Sequence, residues 1–547
     1  MDVVLVGLPG SGKSVVGRRL AHRHGATFVD LDQEIESRAG RPISEIFAEE
    51  GETAFRTHER EAIAALGPPD PGAALARVVA SGGGAVVDPR NRWALYRGRL
   101  SVWLDGRPEV LAQRLRRSPH VRPLIVGREP VSAVRDLAAK RERFYAAAAV
   151  RINGVPEVRG VVDAVDGAIS DWRPDGTRLL DTDTRIGRYV LGHAMAAPAI
   201  ARSLRRLEAR RAILVSEPGA WEAAGQSIAE GLAAAGWPVE NVLLPPGEDA
   251  KRLAVVEEAA RTLARLRVER SEPIVAIGGG ALGDSAGFLA ATYLRGIPYI
   301  QVPTTLVAQV DSAIGGKTGV DLPEGKNLVG AFHQPAAIVI DVAVLGSLPE
   351  RQRRAALGEA VKMAALGDER LFELLEADGD AIARGDPSVV ERGAVAEVVE
   401  RTGWAKVEVV SADERERGAA SGRITLNLGH SLGHAVEAAA GYRDLLHGEA
   451  VAYGLRAACA IGEAMGVTPP SRATRIRGLL DRLELATEPL PYSIATVLDH
   501  LAADKKHAAG RLRWVLPTAD GVEVRSDVPA DVVERAAAGL LATASPA

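Results

Sequence analysis

One cysteine, Cys459, is present in 547 residues. A lone thiol excludes an intrachain disulfide and a cysteine-rich zinc cage, and it fits a reducing cytosol. It sits in the alanine-rich run GLRAACAIGEAMG, where it reads as a core thiol rather than a nucleophile. No run of about 18 uncharged apolar residues occurs, so no membrane span is expected. The start, MDVVLVGLPGSGKS, lacks a basic segment ahead of an apolar core, so no signal peptide is expected. A formal net charge of −4 gives no electrostatic case for nucleic acid or an anionic membrane as partner. There is no internal repeat and no long low-complexity tail. The length alone points to roughly three to four domains of about 150 residues each.

Short apolar strands alternate with helical runs from residue 1 to about residue 170. VVLVG, VVASGGG and LSVWLDG read as strands ending in glycine or turn chemistry, which is the βαβ rhythm of a parallel sheet. Trp172 to Arg185, WRPDGTRLLDTDTR, is polar and turn-rich and reads as a linker. A second α/β series follows, with AILVSEP, VENVLLPPGE, PIVAIGGG and IPYIQVPTT. Beyond about residue 346 the pattern is helical, apart from the strand candidates GRITLNL and RLRWVLP.

Gly7 to Ser14, GLPGSGKS, fits GxxxxGK followed by Ser or Thr, after a strand and before a helix. Backbone N–H groups of such a loop, with Gly10, Gly12 and Val15 at the helix start, converge on phosphate oxygens. Lys13 would pair with the β- and γ-phosphates and Ser14 with Mg²⁺. The motif names a phosphoryl donor and leaves the acceptor open. Asp30 and Asp32 in FVDLD, read as one face of a strand end, could serve magnesium and an acceptor hydroxyl. Arg56, Gly82–Gly84 and the run RLRRSPHVRPL, with Arg114, Arg116, Arg117 and Arg122, are weaker signals; the last could be a charge-neutralising lid.

In order and spacing, GLPGSGKS, FVDLD, FR, GGGA, VRPL and KRERFY resemble shikimate kinase over residues 1–171. The resemblance implies that Asp32, Arg56, Gly83 and Arg141 bind shikimate. It makes Arg122 the lid arginine, sets Arg117 near adenine, and gives Asp30 to magnesium. RERFY departs from the family's RxPLY, although Arg141 is retained.

In the second half, IVAIGGGALGD places Gly279 and Gly280 between a strand and a helix without the GxGxxG spacing. PPGEDAK contributes Glu248 and Lys251 as polar contacts for a nucleotide. His430 and His434 lie at i, i+4 on one helical face, the spacing that lets two imidazoles share an ion. HGEA adds His447, and GEAVK adds Glu359 and Lys362. Ile314 to Asn327, IGGKTGVDLPEGKN, is a glycine-rich run with two lysines that fails the P-loop pattern because Asp311 stands where glycine is needed.

The stretches GGGALGDSAGFLAATYLRG, QVPTTLVAQVDSAIGGKTGV, GKNLVGAFHQP, LPERQRRAALGEAVK, NLGHSLGHAVE, LHGEAVAYG and ADKK together resemble 3-dehydroquinate synthase. The resemblance implies an NAD-binding Rossmann-like α/β domain over 186–345 and a mainly α-helical metal-binding domain over 346–547, after a P-loop kinase three-layer domain with a parallel sheet and a linker over 172–185. It places NAD at Glu248, Lys251, Gly279, Gly280, Asp284, Thr304, Thr305 and Asp311. It gives zinc (or cobalt) to Glu359, His430 and His447, and moves His434 to the substrate. The substrate would be 3-deoxy-D-arabino-heptulosonate 7-phosphate, held by Arg295, Lys317, Lys326, Asn327, Lys362, Lys406, Arg423, Asn427, His434 and one of Lys505 and Lys506. A sugar acid phosphate needs several cations, because an unpaired buried charge is very costly. The implied chemistry is redox-neutral: NAD oxidises C5, phosphate is eliminated, hydride returns, and an aldol step closes the ring. Where the family carries Asp near the adenosine ribose, this chain has Glu217 followed by Pro218.

These readings make a cytoplasmic bifunctional enzyme of the second and fifth steps of the shikimate pathway, with magnesium, ATP, NAD and zinc as cofactors. The steps are not consecutive, so channelling between the two sites has no chemical basis. Expected partners are small molecules and a second copy of the chain, through the synthase half. Three rivals remain: an NAD polyol dehydrogenase, a sedoheptulose-phosphate cyclase, and a P-loop domain that senses nucleotide without transferring phosphate. The lysine and arginine set argues against the first, the attached kinase-like region against the second, and Asp32, Arg56 and Arg141 against the third.

Overall fold

The computed structural model describes residues 1–117, 129–153, 157–173, 176–414, 422–507 and 512–542. Expected site residue Arg122 lies outside these residues, and the side chains of Lys505 and Lys506 lie outside the described side chains. The chain forms two compact units, Met1–Asp183 with Tyr189–Met195, and Thr184–Arg188 with Ala196–Ala547. The sequence reading draws three domains; here the third, and all of the second but Tyr189–Met195, fall in one unit.

In the first unit, β1 (Asp2–Val6), β2 (Thr27–Asp30), β3 (Arg77–Ala80), β4 (Leu100–Leu104) and β5 (Val150–Ile152) form a sheet in the order β2-β3-β1-β4-β5. Every pair is parallel. All five residues of β1 are buried, as an apolar run covered on both faces requires. Val3 and Leu5 pack with Val16 and Leu20 of the helix Lys13–His24 and with Val162 and Val165 of the helix Val158–Asp171. The loop leaving β1 takes left-handed turns at Gly10 and Gly12, with φ of 83° and 92°, which glycine adopts without strain.

Three local readings are corrected. Asp30 ends β2, but Asp32 lies in the first turn of the helix Leu31–Ala39, so the pair does not share a strand face. Residues read as linker form strand β6 (Thr177–Thr184), followed by β7 (Gly187–His193), with Leu179 and Leu180 buried. The stretch GRITLNL, read as a strand, is a 3₁₀ turn at Arg423–Asn427.

In the second unit, β8 (Ala212–Ser216), β9 (Val239–Leu243), β10 (Ile274–Gly278) and β11 (Tyr299–Pro303) are followed by the hairpin of β12 (Lys317–Leu322) and β13 (Gly325–Phe332), and then by β14 (Ala337–Asp341). The five strands in the order β14-β11-β10-β8-β9 are parallel. The strand order reverses between β8 and β10, and ligands of open α/β sheets bind in the crevice beyond the carboxyl ends at such a point. The glycine-rich run with two lysines supplies β12 and the start of β13, an antiparallel pair. Helices Glu350–Ala365, Ala394–Ala412, His430–Ala439 and His447–Ala464 make up much of the remainder.

Candidate active sites

In the first unit, Lys13 folds back on its own loop and donates to the carbonyls of Gly7 (2.8 Å) and Leu8 (3.1 Å). Ser11 Oγ is buried with no hydrogen-bond partner, and the Gly12 flank has no neighbour within 4 Å. An orphaned hydroxyl beside an open turn of backbone amides fits an arriving phosphate. The helix Pro108–Arg116 lies against this loop, with Arg114 donating to Gly10 O at 3.4 Å, and Arg117 stands exposed at its end.

The acceptor residues converge around the three glycines after β3. A Cβ on Gly82 would lie 3.0 Å from Asp32 Oδ1 and 3.1 Å from Glu59 Oε1, and one on Gly84 would lie 2.7 Å from Arg56 Nη1. The Gly83 carbonyl accepts from Arg141 at 3.0 Å and from the Tyr145 hydroxyl. Arg56 donates to Glu59 (2.7 Å) and to Glu52 (2.9 Å). Burial raises the Glu59 carboxyl above its ordinary range, against the pull of Arg56. One wall therefore carries Asp32, Arg56, Gly83 and Arg141 together.

In the second unit, Gly279 caps the helix Gly280–Thr292 at the end of β10, facing Thr305, and Gly280 faces Ser312. Thr304 N–H donates to Gly278 O at 3.0 Å. Glu217, at the end of β8, accepts from Gly247 N–H at 2.8 Å and so braces the turn that carries Glu248. Lys251 is buried and donates to Asp284 (2.9 Å) and Asn327 (2.5 Å). Burial raises the Asp284 carboxyl, with Lys251 opposing.

Beside this crevice lies a cavity of about 550 Å³. Its wall includes Lys317, Lys362, Lys406 and Arg423 together with the three imidazoles of His430, His434 and His447, and Asp284, Asp311, Asn327 and Asn427 also line it. Two expected substrate residues are not on this wall. Arg295 takes a left-handed φ of 64° elsewhere, and Lys326 pairs with Glu248 at 2.7 Å.

Charges alternate across the floor. Lys406 Nζ is 2.6 Å from Asp311 Oδ1, Lys362 Nζ is 3.8 Å from the same oxygen, and Lys362 also pairs with Glu359. Burial disfavours an ionised Asp311, yet Lys406 and Lys362 hold it below the usual carboxylate range. Burial lowers Lys406, while the carboxylates beside Lys362 raise that lysine against its own burial.

Glu359 Oε1 faces His447 Nε2 at 3.3 Å and His430 Nε2 at 3.7 Å. Both Glu359 oxygens are buried, with Oε2 paired to the Lys362 ammonium and Oε1 facing the two imidazoles. The ligand atoms of His430, His434 and His447 lie within 4.8 Å of one another. One carboxylate and three imidazoles, of which His434 is the exposed one, fit a divalent ion of the zinc or cobalt type. Burial and Lys362 hold the His430 imidazole well below its ordinary value; Glu359 and Glu437 overcome burial at His447 and raise it to about 10. Glycines allow this convergence. A Cβ on Gly358 would collide with Gly448 O, and one on Gly448 with Ala355 O, so the helix bearing Glu359 meets the helix bearing His447 backbone to backbone.

Comparison with known proteins agrees with this geometry. Residues 241–355 match the family model for the 3-dehydroquinate synthase N-terminal region, and residues 356–507 match that for its C-terminal region. The 3-dehydroquinate synthase of Symbiobacterium thermophilum is 45% identical over 330 residues, covering 60% of this chain and 89% of that protein. The chain belongs to the 3-dehydroquinate synthase family. Residues 9–159 match the shikimate kinase model, so a shikimate kinase domain precedes the synthase. The synthase of Halorhodospira halophila is 46% identical over 57% of this chain and 84% of its own length. A solved 2-epi-5-epi-valiolone synthase from Streptomyces hygroscopicus subsp. jinggangensis 5008, with NAD+ and Zn2+ bound, is 30% identical, covers 68% of this chain and 99% of its own, and gives a TM-score of 0.57.

Three residues of the kinase and synthase sites escaped the sequence reading. Glu59 lies at i+3 from Arg56, a same-face spacing that could have flagged it. Tyr145 ends the very RERFY stretch noted for its departure from the family. Glu437 follows His430 by two helical turns and accepts from His447 Nδ1 at 3.1 Å.

Proposed function

We propose that this chain is a bifunctional enzyme. The shikimate kinase domain phosphorylates shikimate to shikimate 3-phosphate with ATP. The synthase converts 3-deoxy-D-arabino-heptulosonate 7-phosphate to 3-dehydroquinate with release of phosphate. The observation that carries the second half is one cavity lined by four basic side chains and by three imidazoles whose ligand atoms cluster.

In the kinase, bound Mg²⁺–ATP supplies the phosphoryl group and neutralises its developing charge. Ser14 and Asp30 would hold the metal. Lys13 exchanges the Gly7 and Leu8 carbonyls for phosphate oxygens. Arg56 and Arg141 take the acceptor's carboxylate, and the Asp32 carboxylate accepts a hydrogen bond from the attacking hydroxyl and orients it.

In the synthase, bound NAD supplies a reversible hydride acceptor and a zinc or cobalt ion supplies Lewis acidity toward a substrate hydroxyl. Glu359, His430 and His447 would hold the ion. Glu217, the Gly279–Gly280 turn and Asp284 would hold the dinucleotide. Lys317, Lys406, Arg423 and Asn427 seat the carboxylate and phosphate of the substrate, and ionised Asp311 keeps Lys362 and Lys406 in place. His434, the exposed imidazole of the three, would exchange a proton with the substrate.

A sedoheptulose-phosphate cyclase, the alternative for the synthase half, is not favoured by the comparisons. The greater identity to dehydroquinate synthases argues for the first reading. We also propose a cytoplasmic homodimer through the second unit, which light scattering would read as twice the chain mass. No described helix is long and apolar enough to cross a membrane.

The deciding experiment gives the purified full chain the heptulosonate phosphate with NAD and zinc, and separately shikimate with ATP and magnesium. Phosphate and 3-dehydroquinate in equal amounts without net NADH, and ADP matched by shikimate 3-phosphate, are expected. Net NADH, or ADP that does not depend on shikimate, would overturn the reading.

A further inference from the structure

His447 is clamped between two carboxylates. Its Nε2 faces Glu359 Oε1 at 3.3 Å, and its Nδ1 meets Glu437 Oε2 at 3.1 Å. A neutral imidazole has one N–H and one lone pair, and its neighbours choose which nitrogen carries which. An ionised carboxylate only accepts, so Glu437 keeps a proton on Nδ1, and Nε2 is the nitrogen that would give up its own proton to an ion seated between it and Glu359. His430 is set the same way by a different partner: its Nδ1 meets the Leu428 carbonyl at 3.1 Å, and its Nε2 faces the same Glu359 oxygen. Two independent Nδ1 acceptors thus aim two Nε2 atoms at one point.

Glu437 is also tied to the β12–β13 hairpin. Its second oxygen lies 3.7 Å from Lys326 Nζ. That ammonium is held by Glu248 at 2.7 Å and sits 4.6 Å from the centre of the Tyr442 ring. Glu437 itself is buried, at 8% exposure, so its charge is satisfied by these two partners rather than by water.

We propose that Glu437 is a positioning residue of the metal pole, fixing His447 as the Nδ1–H tautomer so that Nε2 is its ligand atom, and linking that pole to Lys326 on the hairpin. Lys326 accordingly acts through Glu437 and Glu248 in this arrangement rather than from the cavity wall. The proposal rests on the metal-dependent reading of the synthase half. A partner of this kind typically changes metal affinity by about 10–100-fold when it is replaced.

The test uses the full chain, stripped of metal and titrated with zinc against a chromophoric chelator. Glu437→Gln keeps the shape of the side chain and removes its charge. Zinc affinity at least about tenfold weaker is expected, with NAD affinity unchanged, and with an altered visible spectrum when Co²⁺ replaces zinc. Zinc affinity within threefold of the unaltered chain, with an unchanged Co²⁺ spectrum, would overturn the proposal. If Glu437→Gln no longer binds NAD and so is not folded, Glu437→Asp, which keeps the charge but draws it back from Nδ1, is titrated and judged by the same two outcomes. An unaltered chain that binds no zinc would remove the metal-dependent reading itself, a failure distinct from loss of the Glu437 effect alone.

Discussion

Replacing Glu59 by glutamine should impair shikimate binding while sparing ATP. Glu59 is 1% exposed and accepts a 2.7 Å charge-assisted hydrogen bond from Arg56, the arginine proposed to meet the shikimate carboxylate. Hydrogen bonds to charged groups contribute about 1.5–3 kcal/mol. Arg56 retains its bond to Glu52, but that pair is solvent-facing and worth about 0.3–0.5 kcal/mol. Glutamine still offers an oxygen, so roughly 1.5–2 kcal/mol of positioning should be lost, raising the KM for shikimate about 10–30-fold. The KM for ATP should stay within twofold and kcat within about threefold, since Arg56 contacts the acceptor away from the transferring phosphoryl group. ADP release at saturating ATP over a range of shikimate reads all three. A companion effect concerns pH. Glu59 is raised above its ordinary 4.5 by burial. Its contribution to stability is therefore present below that value and is lost as pH rises through the raised one. The Glu59→Gln chain should lack that part of the slope. A KM for shikimate within twofold of the unaltered chain would refute this reasoning.

Two further predictions concern the synthase. Asp284→Asn leaves Lys251, whose side chain is 4% exposed, with only Asp321 at 3.8 Å as its carboxylate partner; breaking a buried pair costs about 3–5 kcal/mol, and the remaining partner reduces this to roughly 2–3. The first unfolding transition of the second unit in calorimetry should fall by several degrees, and an unchanged transition would show that the pair is not an electrostatic anchor. Gly448→Ala inserts a methyl group where the Ala355 carbonyl already lies, so the helices bearing Glu359 and His447 must part; overpacking of this kind costs about 1–3 kcal/mol. Phosphate release and zinc affinity should fall together, while shikimate-dependent ADP formation is retained.

The strand–loop–helix at Gly7–Ser14 was legible because every signal there is local: an apolar run, three glycines taking positive φ, and a helix start. The second sheet was equally legible, since AILVS, IVAIG and YIQVP are continuous apolar runs that a doubly covered parallel sheet demands. ITLNL alternates with period two and so mimics a strand, but Arg423, Leu426 and Asn427 all line the cavity, which a 3₁₀ turn permits. The lysine run carries a turn signal of its own, Pro323 at the second and Gly325 at the fourth position of the tight turn that joins β12 and β13. At the sites, the spacing of His430 and His434 correctly brought two imidazoles together, but spacing alone could not bring in Glu359 from a helix about seventy positions earlier. That convergence depends on helix-to-helix contact through Gly358 and Gly448, a tertiary fact without a one-dimensional pattern.

The central claim is that a basic cavity beside the dinucleotide crevice seats a doubly acidic sugar. The most direct measurement is phosphate release from the heptulosonate phosphate by Lys317→Met, a change that removes one cation from the cavity wall while keeping similar bulk. A loss of at least about 100-fold, equivalent to roughly 2.7 kcal/mol, with NAD affinity within threefold of the unaltered chain, is predicted; undiminished phosphate release would contradict the account.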